Sequence, residues 1–126
     1  MRMSQPYFRV LFWLVLSVVL LGSLLPSKVS ALAIFSYDKF MHFSAFALLY
    51  FFAERAYCTV FSGLILGFVV VGFGLAIEIA QNFILYRHAD SFDIIANACG
   101  VLLAASIINL HKFYEKTQES SDDVMR

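Results

Sequence analysis

Three pairs of polar residues stand at helical spacing in an otherwise apolar sequence. Asp38 and His42 are four positions apart, Glu78 and Gln81 three, and Asp93 and Asn97 four, so on helices the members of each pair share a face. His42 could act as general acid or base with Glu78 or Asp93 holding its tautomer, which makes His42 and Glu78 the candidate catalytic residues. Lys39 and Arg87 offer cationic contacts to phosphate or carboxylate. Asp38, Gln81, Asp93 and Asn97 supply hydrogen bonds that would orient a ligand, and with Lys39 and Arg87 they complete the candidate binding set. No strong nucleophile motif accompanies these groups; Ser44 or Ser91 could be named for the role, but on no pattern of their own. A single histidine in the set excludes a two-histidine phosphatase arrangement. A metal site made of His42, Glu78 and Asp93 would draw its ligands from three helices and lacks diagnostic spacing, so no metal and no cofactor is expected.

The elements that must position these residues follow from composition. The chain has 126 residues, of which 61% are hydrophobic and 14% charged, with a mean hydropathy of +0.80, far from the quarter or so of charged residues in soluble domains. Its formal net charge is zero, which removes the basic footprint of a nucleic-acid binder. Windows without charge mark the spans: 18 residues between Arg9 and Lys28, 22 between Arg55 and Glu78, and 18 between Asp93 and Lys112, each close to the roughly 20 needed to cross hydrocarbon. A fourth window from Phe40 to Ala53 has 14; it is apolar all round rather than on one face, and Tyr37 and Tyr57 extend it as interface anchors. These lengths predict an all-α polytopic membrane protein, a bundle of four transmembrane helices near 8–26, 37–57, 59–80 and 92–110.

Arg2 and Arg9 ahead of an apolar stretch, with Ala31-Leu32-Ala33 downstream, have the outline of a cleavable signal peptide. The apolar stretch exceeds the 7 to 15 residues of a signal core, which favours a retained first helix. Orientation follows from the basic residues. With the N-terminus in the cytoplasm, Arg2, Arg9, Arg55, Lys112, Lys116 and Arg126 lie inside and Lys28, Lys39 and Arg87 outside, an asymmetry that favours N-in, C-in. The domain then covers 1–111, and residues 112–126 form a polar cytoplasmic tail, read as a frayed helix end followed by a disordered stub. Cys58 and Cys99 fall near opposite faces of the membrane and read as separate buried thiols, not a disulfide framework.

In this orientation every polar pair lies toward the outer side. Gly63, Gly67, Gly74 and Glu78 form one stripe, and Asp93, Asn97, Gly100 or Val101, and Ala104 another. Small residues let helix backbones touch, so the third and fourth helices are expected to pack along these seams with the polar pairs at the outer end. Each polar residue also has an ordinary reading. Asp90 or Ser91 caps the fourth helix and Asp93 favours its dipole; Ser36 or Asp38 caps the second, and Lys39 snorkels to head groups. His42 alone suits a satisfied buried imidazole, and Arg87 beside Tyr86 an interface anchor. Glu78 is the hardest to read this way, because an ionisable group so far along an apolar span is expensive unless used.

The order Asp38-Lys39-x-x-His42-x-x-x-Phe46, then Glu78-x-x-Gln81, then Arg87, then Asp93-x-x-x-Asn97-x-x-Gly100 resembles the VanZ-like family of small bacterial membrane proteins over residues 35–105. The resemblance implies a helical protein of the bacterial inner membrane, whose family namesake is associated with low-level resistance to teicoplanin-type glycopeptides. Three functional expectations follow. The first is an outer-leaflet site that recognises or modifies the head group of a cell-envelope lipid or lipoglycopeptide. The second is an intramembrane enzyme acting on a lipid-linked substrate through His42 and Glu78. The third is a scaffold whose polar cluster only locks the bundle. The expected partners are the lipid bilayer and such a head group, with no nucleic acid.

Overall fold

The computed structural model describes residues 6–25, 31–84 and 90–126, with residues 31–37 described by backbone alone. Arg87 and Tyr86, like Arg2 and Lys28, lie outside the described residues. Four helices make up the described chain, α1 (Pro6–Leu24), α2 (Ala31–Tyr57), α3 (Gly63–Gln81) and α4 (Ser91–Val124), with no strand among the described residues. Local chemistry sets their starts. Pro6 opens α1, where its missing N–H costs nothing. Ser62, in extended backbone, accepts the Ile65 N–H at 3.3 Å ahead of α3, and Asp90 accepts the Phe92 N–H at 2.9 Å ahead of α4; both are side-chain caps for orphan donors. Since α2 begins at Ala31, neither Ser36 nor Asp38 caps it: both lie inside the helix.

Length and apolarity qualify α1, α3 and α4 to cross a membrane. Outward-facing Trp13, Leu14, Val18, Leu64, Phe68, Val69, Leu102 and Ile107 form apolar surface on a scale that lipid, not water, accommodates. The second helix is different. It carries Asp38, Lys39, Glu54 and Arg55, and it occupies the centre of the bundle, packing most extensively on α4 and also on α1 and α3. Phe46, Leu49, Tyr50, Ala53 and Ala56 are buried. Neighbouring helices supply partners for polar groups on such a helix, which lipid could not do.

The glycine seams correct one expectation. On α4, a Cβ at Gly100 would run into the Phe43 carbonyl oxygen of α2 and would sit 3.1 Å from the Ala47 nitrogen, so at Gly100 the α4 seam closes on the backbone of α2, while Asn97 of the same seam meets Gly74 of α3 as expected. The α3 seam is shared. Gly63 lies under the Tyr50 hydroxyl, Gly67 between Tyr50 and Val101, and Gly74 against Phe46 and Asn97. Small residues announce a close approach without naming the partner: α2 meets both seams, and α4 also meets the α3 seam through Val101 and Asn97. Because lipid is as apolar as the core, this packing and the interhelical polar bonds hold the bundle together.

Two further corrections concern the far end and the thiols. Helix α4 continues through 112–124 with nearly every side chain exposed, so the polar tail is helical where a disordered stub was expected. Lys, Glu and Gln are good helix formers, and the i,i+4 neighbours His111 and Glu115, 3.4 Å apart, lie along the extension. Cys58 is half-buried and Cys99 exposed. Neither is the buried thiol expected; Cys99 lies on the outward face of α4, away from the seam that packs on α2.

Candidate functional site

The N-terminal part of α2, the last turn of α3 and the first turns of α4 meet at one end of the bundle. Asp93 is the hub. Its Oδ1 accepts from Lys39 Nζ at 3.1 Å, and its Oδ2 lies 3.6 Å from His42 Nε2. One turn further along α4, Asn97 Oδ1 lies 3.0 Å from His42 Nδ1. The i,i+4 spacings therefore do two jobs: Asp93 and Asn97 grip the two ring nitrogens of one imidazole, while Asp38, on the same face of α2 as His42, approaches Nε2 at 4.0 Å. With Asn97 Oδ1 as acceptor, Nδ1 carries the proton in the neutral ring and Nε2 presents its lone pair.

The site is graded from open to closed. At the rim, the side chains of Asp38, Asp90 and Lys39 are 37%, 32% and 23% exposed. Beneath them His42, Asp93, Asn97 and Glu78 are all buried. Lys39 Nζ also donates to Asp90 Oδ2 at 2.7 Å and lies 5.5 Å from the centre of the Phe92 ring, so one ammonium joins α2 to both the cap and the first turn of α4. This ion pair, followed by the Phe92 N–H, holds the Asp90 carboxyl below the usual carboxylate range. Asp90 is thus helix cap and ion-pair partner at once, so its ordinary capping role is real but not its only one.

Glu78 reaches the cluster from α3. Its Oε2 accepts the Asp90 backbone N–H at 3.2 Å, while Oε1 is buried with no hydrogen-bond partner. It lies within electrostatic range of Asp93, His42 and Asp38, and no direct hydrogen bond joins it to His42. The carboxylates nearest the imidazole are Asp93 and Asp38. Asn97 Nδ2 is the second buried orphan here, pressed against Gly74, where a Cβ would come within 2.8 Å of it.

Gln81 turns away from this group. Its amide donates to the Ser23 carbonyl at 2.8 Å, satisfying one of the carbonyls that the end of α1 leaves open. Helical spacing places Glu78 and Gln81 on one face, but that face is wide enough for Glu78 to meet α4 and Gln81 to meet α1. Asp38, Lys39, His42, Glu78, Asp93 and Asn97 are brought together, Gln81 is not, and Arg87 is outside the described residues.

Sequence reasoning gave the opposite end no role, yet buried charge is found there too. Glu54 of α2, 1% exposed, pairs with Lys112 of α4 at 2.5 Å, Trp13 Nε1 donates to the Tyr57 hydroxyl at 3.0 Å, and Arg9 lies over the Tyr57 ring. These contacts fasten α1 and α4 to the C-terminal end of α2. The signal was Glu54 itself, a carboxylate directly after the apolar window of the second helix.

Three carboxylates, an imidazole and a carboxamide around one buried centre can bind a cationic group, orient a hydrogen-bonding head group or exchange a proton at Nε2. Compared with protein-family models, curated proteins and solved structures, the chain matches none.

Proposed function

We propose that the chain is a multi-pass protein of the bacterial inner membrane, that all four helices cross the bilayer with both termini cytoplasmic, and that the α2–α3–α4 site opens to the outer leaflet. Its function in this reading is to recognise or modify the polar head group of a cell-envelope lipid or lipoglycopeptide, in keeping with the resemblance to VanZ-like proteins and the link of that family's namesake to teicoplanin-type resistance. One observation carries the proposal: a half-open polar rim of Asp38, Lys39 and Asp90 over a buried floor of His42, Asp93, Asn97 and Glu78, at the end of a bundle with an apolar exterior. An amphiphile has the matching form, with a head group for the recess and chains for the apolar flank. Because Lys39 is engaged by two carboxylates, the groups left to meet a ligand are chiefly acceptors.

A second reading, acid–base chemistry on a lipid-linked substrate, is favoured by the hold of Asn97 on Nδ1, which leaves Nε2 as the nitrogen available for proton transfer. The two readings share a test. The gene is deleted in its host, sensitivity to glycopeptides and membrane-active drugs is profiled, and the strain is complemented with His42→Ala or Glu78→Ala. Loss of rescue with normal protein levels supports a working site; full rescue by both variants leaves only the scaffold.

A further inference from the structure

The centre of this site has a surplus of acceptors. His42 Nε2 faces Asp93 Oδ2 at 3.6 Å and Asp38 Oδ1 at 4.0 Å, separations too long for a hydrogen bond. In the tautomer in which Nδ1 donates to Asn97 Oδ1, the neutral imidazole has no donor to place between them. Glu78, within electrostatic range of Asp93, His42 and Asp38, holds a further acceptor, its orphan Oε1, on a residue 2% exposed. Charge points the same way, since among the described residues Asp38, Glu78, Asp90 and Asp93 outnumber the one lysine of the site.

We propose that Asp38, His42 and Asp93, with Glu78 beside them, bind a divalent transition-metal cation of the Zn²⁺ type. The ligand atoms of the first three lie within 4.8 Å of one another. Around a tetrahedral Zn²⁺ with bonds of roughly 2.0 to 2.1 Å, ligand atoms stand about 3.3 to 3.4 Å apart, so small side-chain rotations close the set. An imidazole among carboxylates selects Zn²⁺ and its first-row neighbours over Mg²⁺ and Ca²⁺, which prefer oxygen alone. The surrounding shell fits as well. Metal-binding imidazoles donate their other N–H to a carbonyl or carboxylate, as Nδ1 does to Asn97, and ligating carboxylates are themselves held by hydrogen bonds, as Asp93 is through Lys39. The set differs from a His42, Glu78 and Asp93 triad in that Asp38, on the same helix face as the imidazole, approaches Nε2 at 4.0 Å, whereas Glu78 makes no hydrogen bond to the ring.

The test uses the full chain in lipid-free detergent, stripped with a chelator and titrated calorimetrically with Zn²⁺ alone. One saturable site per chain is expected. Asp38→Asn, His42→Gln and Asp93→Asn should each weaken it about tenfold or more, and His111→Gln and the Cys58→Ser, Cys99→Ser double variant should leave it unchanged. Zn²⁺ should also raise the melting temperature of the wild-type chain where Mg²⁺ does not, a readout that stands even if a ligand variant fails to fold. Absence of saturable uptake, an unmoved melting temperature, or uptake lost in His111→Gln but retained in Asp93→Asn overturns the proposal, leaving His42 as a packing group between its two aspartates. With no lipid present, this result is separate from that of the head-group reading.

Discussion

His42 and Asn97 face each other across the α2–α4 contact with Nδ1 and Oδ1 3.0 Å apart, both side chains buried. Gly100, one turn further along α4, allows this by bringing the two backbones together. Asn97→Ala should lower stability in detergent by about 1 kcal/mol, since it leaves a buried ring N–H unpaired. Thermal unfolding of the purified variant is the check; an unchanged melting temperature would remove the bond from the stability of the bundle.

The Gly100 contact gives a sharper prediction about packing. A methyl group there meets the Phe43 carbonyl, whereas at Gly72 it meets nothing within 4 Å. Gly100→Ala should therefore destabilise by about 1 to 3 kcal/mol through overpacking, and Gly72→Ala should be neutral or stabilising by up to about 1 kcal/mol from helix propensity. Equal folded yield and melting temperature for the two would contradict the α2–α4 seam.

The ion pair at the rim sets a dependence on pH. Asp90 titrates below the usual carboxylate range because of Lys39 and the Phe92 N–H. A depressed folded-state value means that its stabilisation is complete above the unfolded value and is lost as pH falls through the folded one. Asp90→Asn keeps a capping side chain but removes the charge. It should melt below wild type at neutral pH, with the gap closing as pH falls below the ordinary range for aspartate; a gap constant with pH would exclude the ion pair as its cause.

At the opposite end, Glu54 and Lys112 should be energetically coupled. A double-mutant cycle of Glu54→Gln and Lys112→Met should return a coupling of about 1 kcal/mol, read from unfolding in detergent. Additive losses would mean that the pair in the structure contributes no interaction energy.

Much of this architecture was legible in the residues. Charge-free lengths located the helices, and i,i+4 spacing placed Asp38 with His42 and Asp93 with Asn97, because helix geometry alone decides which side chains share a face. Partner choice was not legible. A stripe such as Gly100 with Ala104 says that something comes close, but whether that is α2 or α3 depends on the whole bundle. The same limit separates Gln81 from Glu78, since spacing on one helix is silent about which neighbour each side chain meets. The polar residues after Lys112 looked disordered for want of a core, yet a helix already nucleated within the bundle extends at little cost once its first turns are fixed. Lys39 was read as a contact for a ligand anion; its two carboxylate partners lie 51 and 54 residues away, a distance that local pattern does not bridge.

Orientation has its own test. Single cysteines at positions 4, 88 and 120, in a chain with Cys58 and Cys99 replaced by serine, should be labelled by an impermeant reagent from outside the cell only at position 88. Labelling of position 88 only from the cytoplasmic side would invert the protein and with it the outer-leaflet site.

The central claim, that the buried cluster serves a ligand rather than only the bundle, is tested most directly by native mass spectrometry of the chain extracted from its own membrane, wild type beside Asp93→Asn. Wild type should retain an envelope lipid or lipid-linked molecule that the variant has lost, with both melting above the temperature of the measurement. The same adduct at the same occupancy on both chains would contradict it.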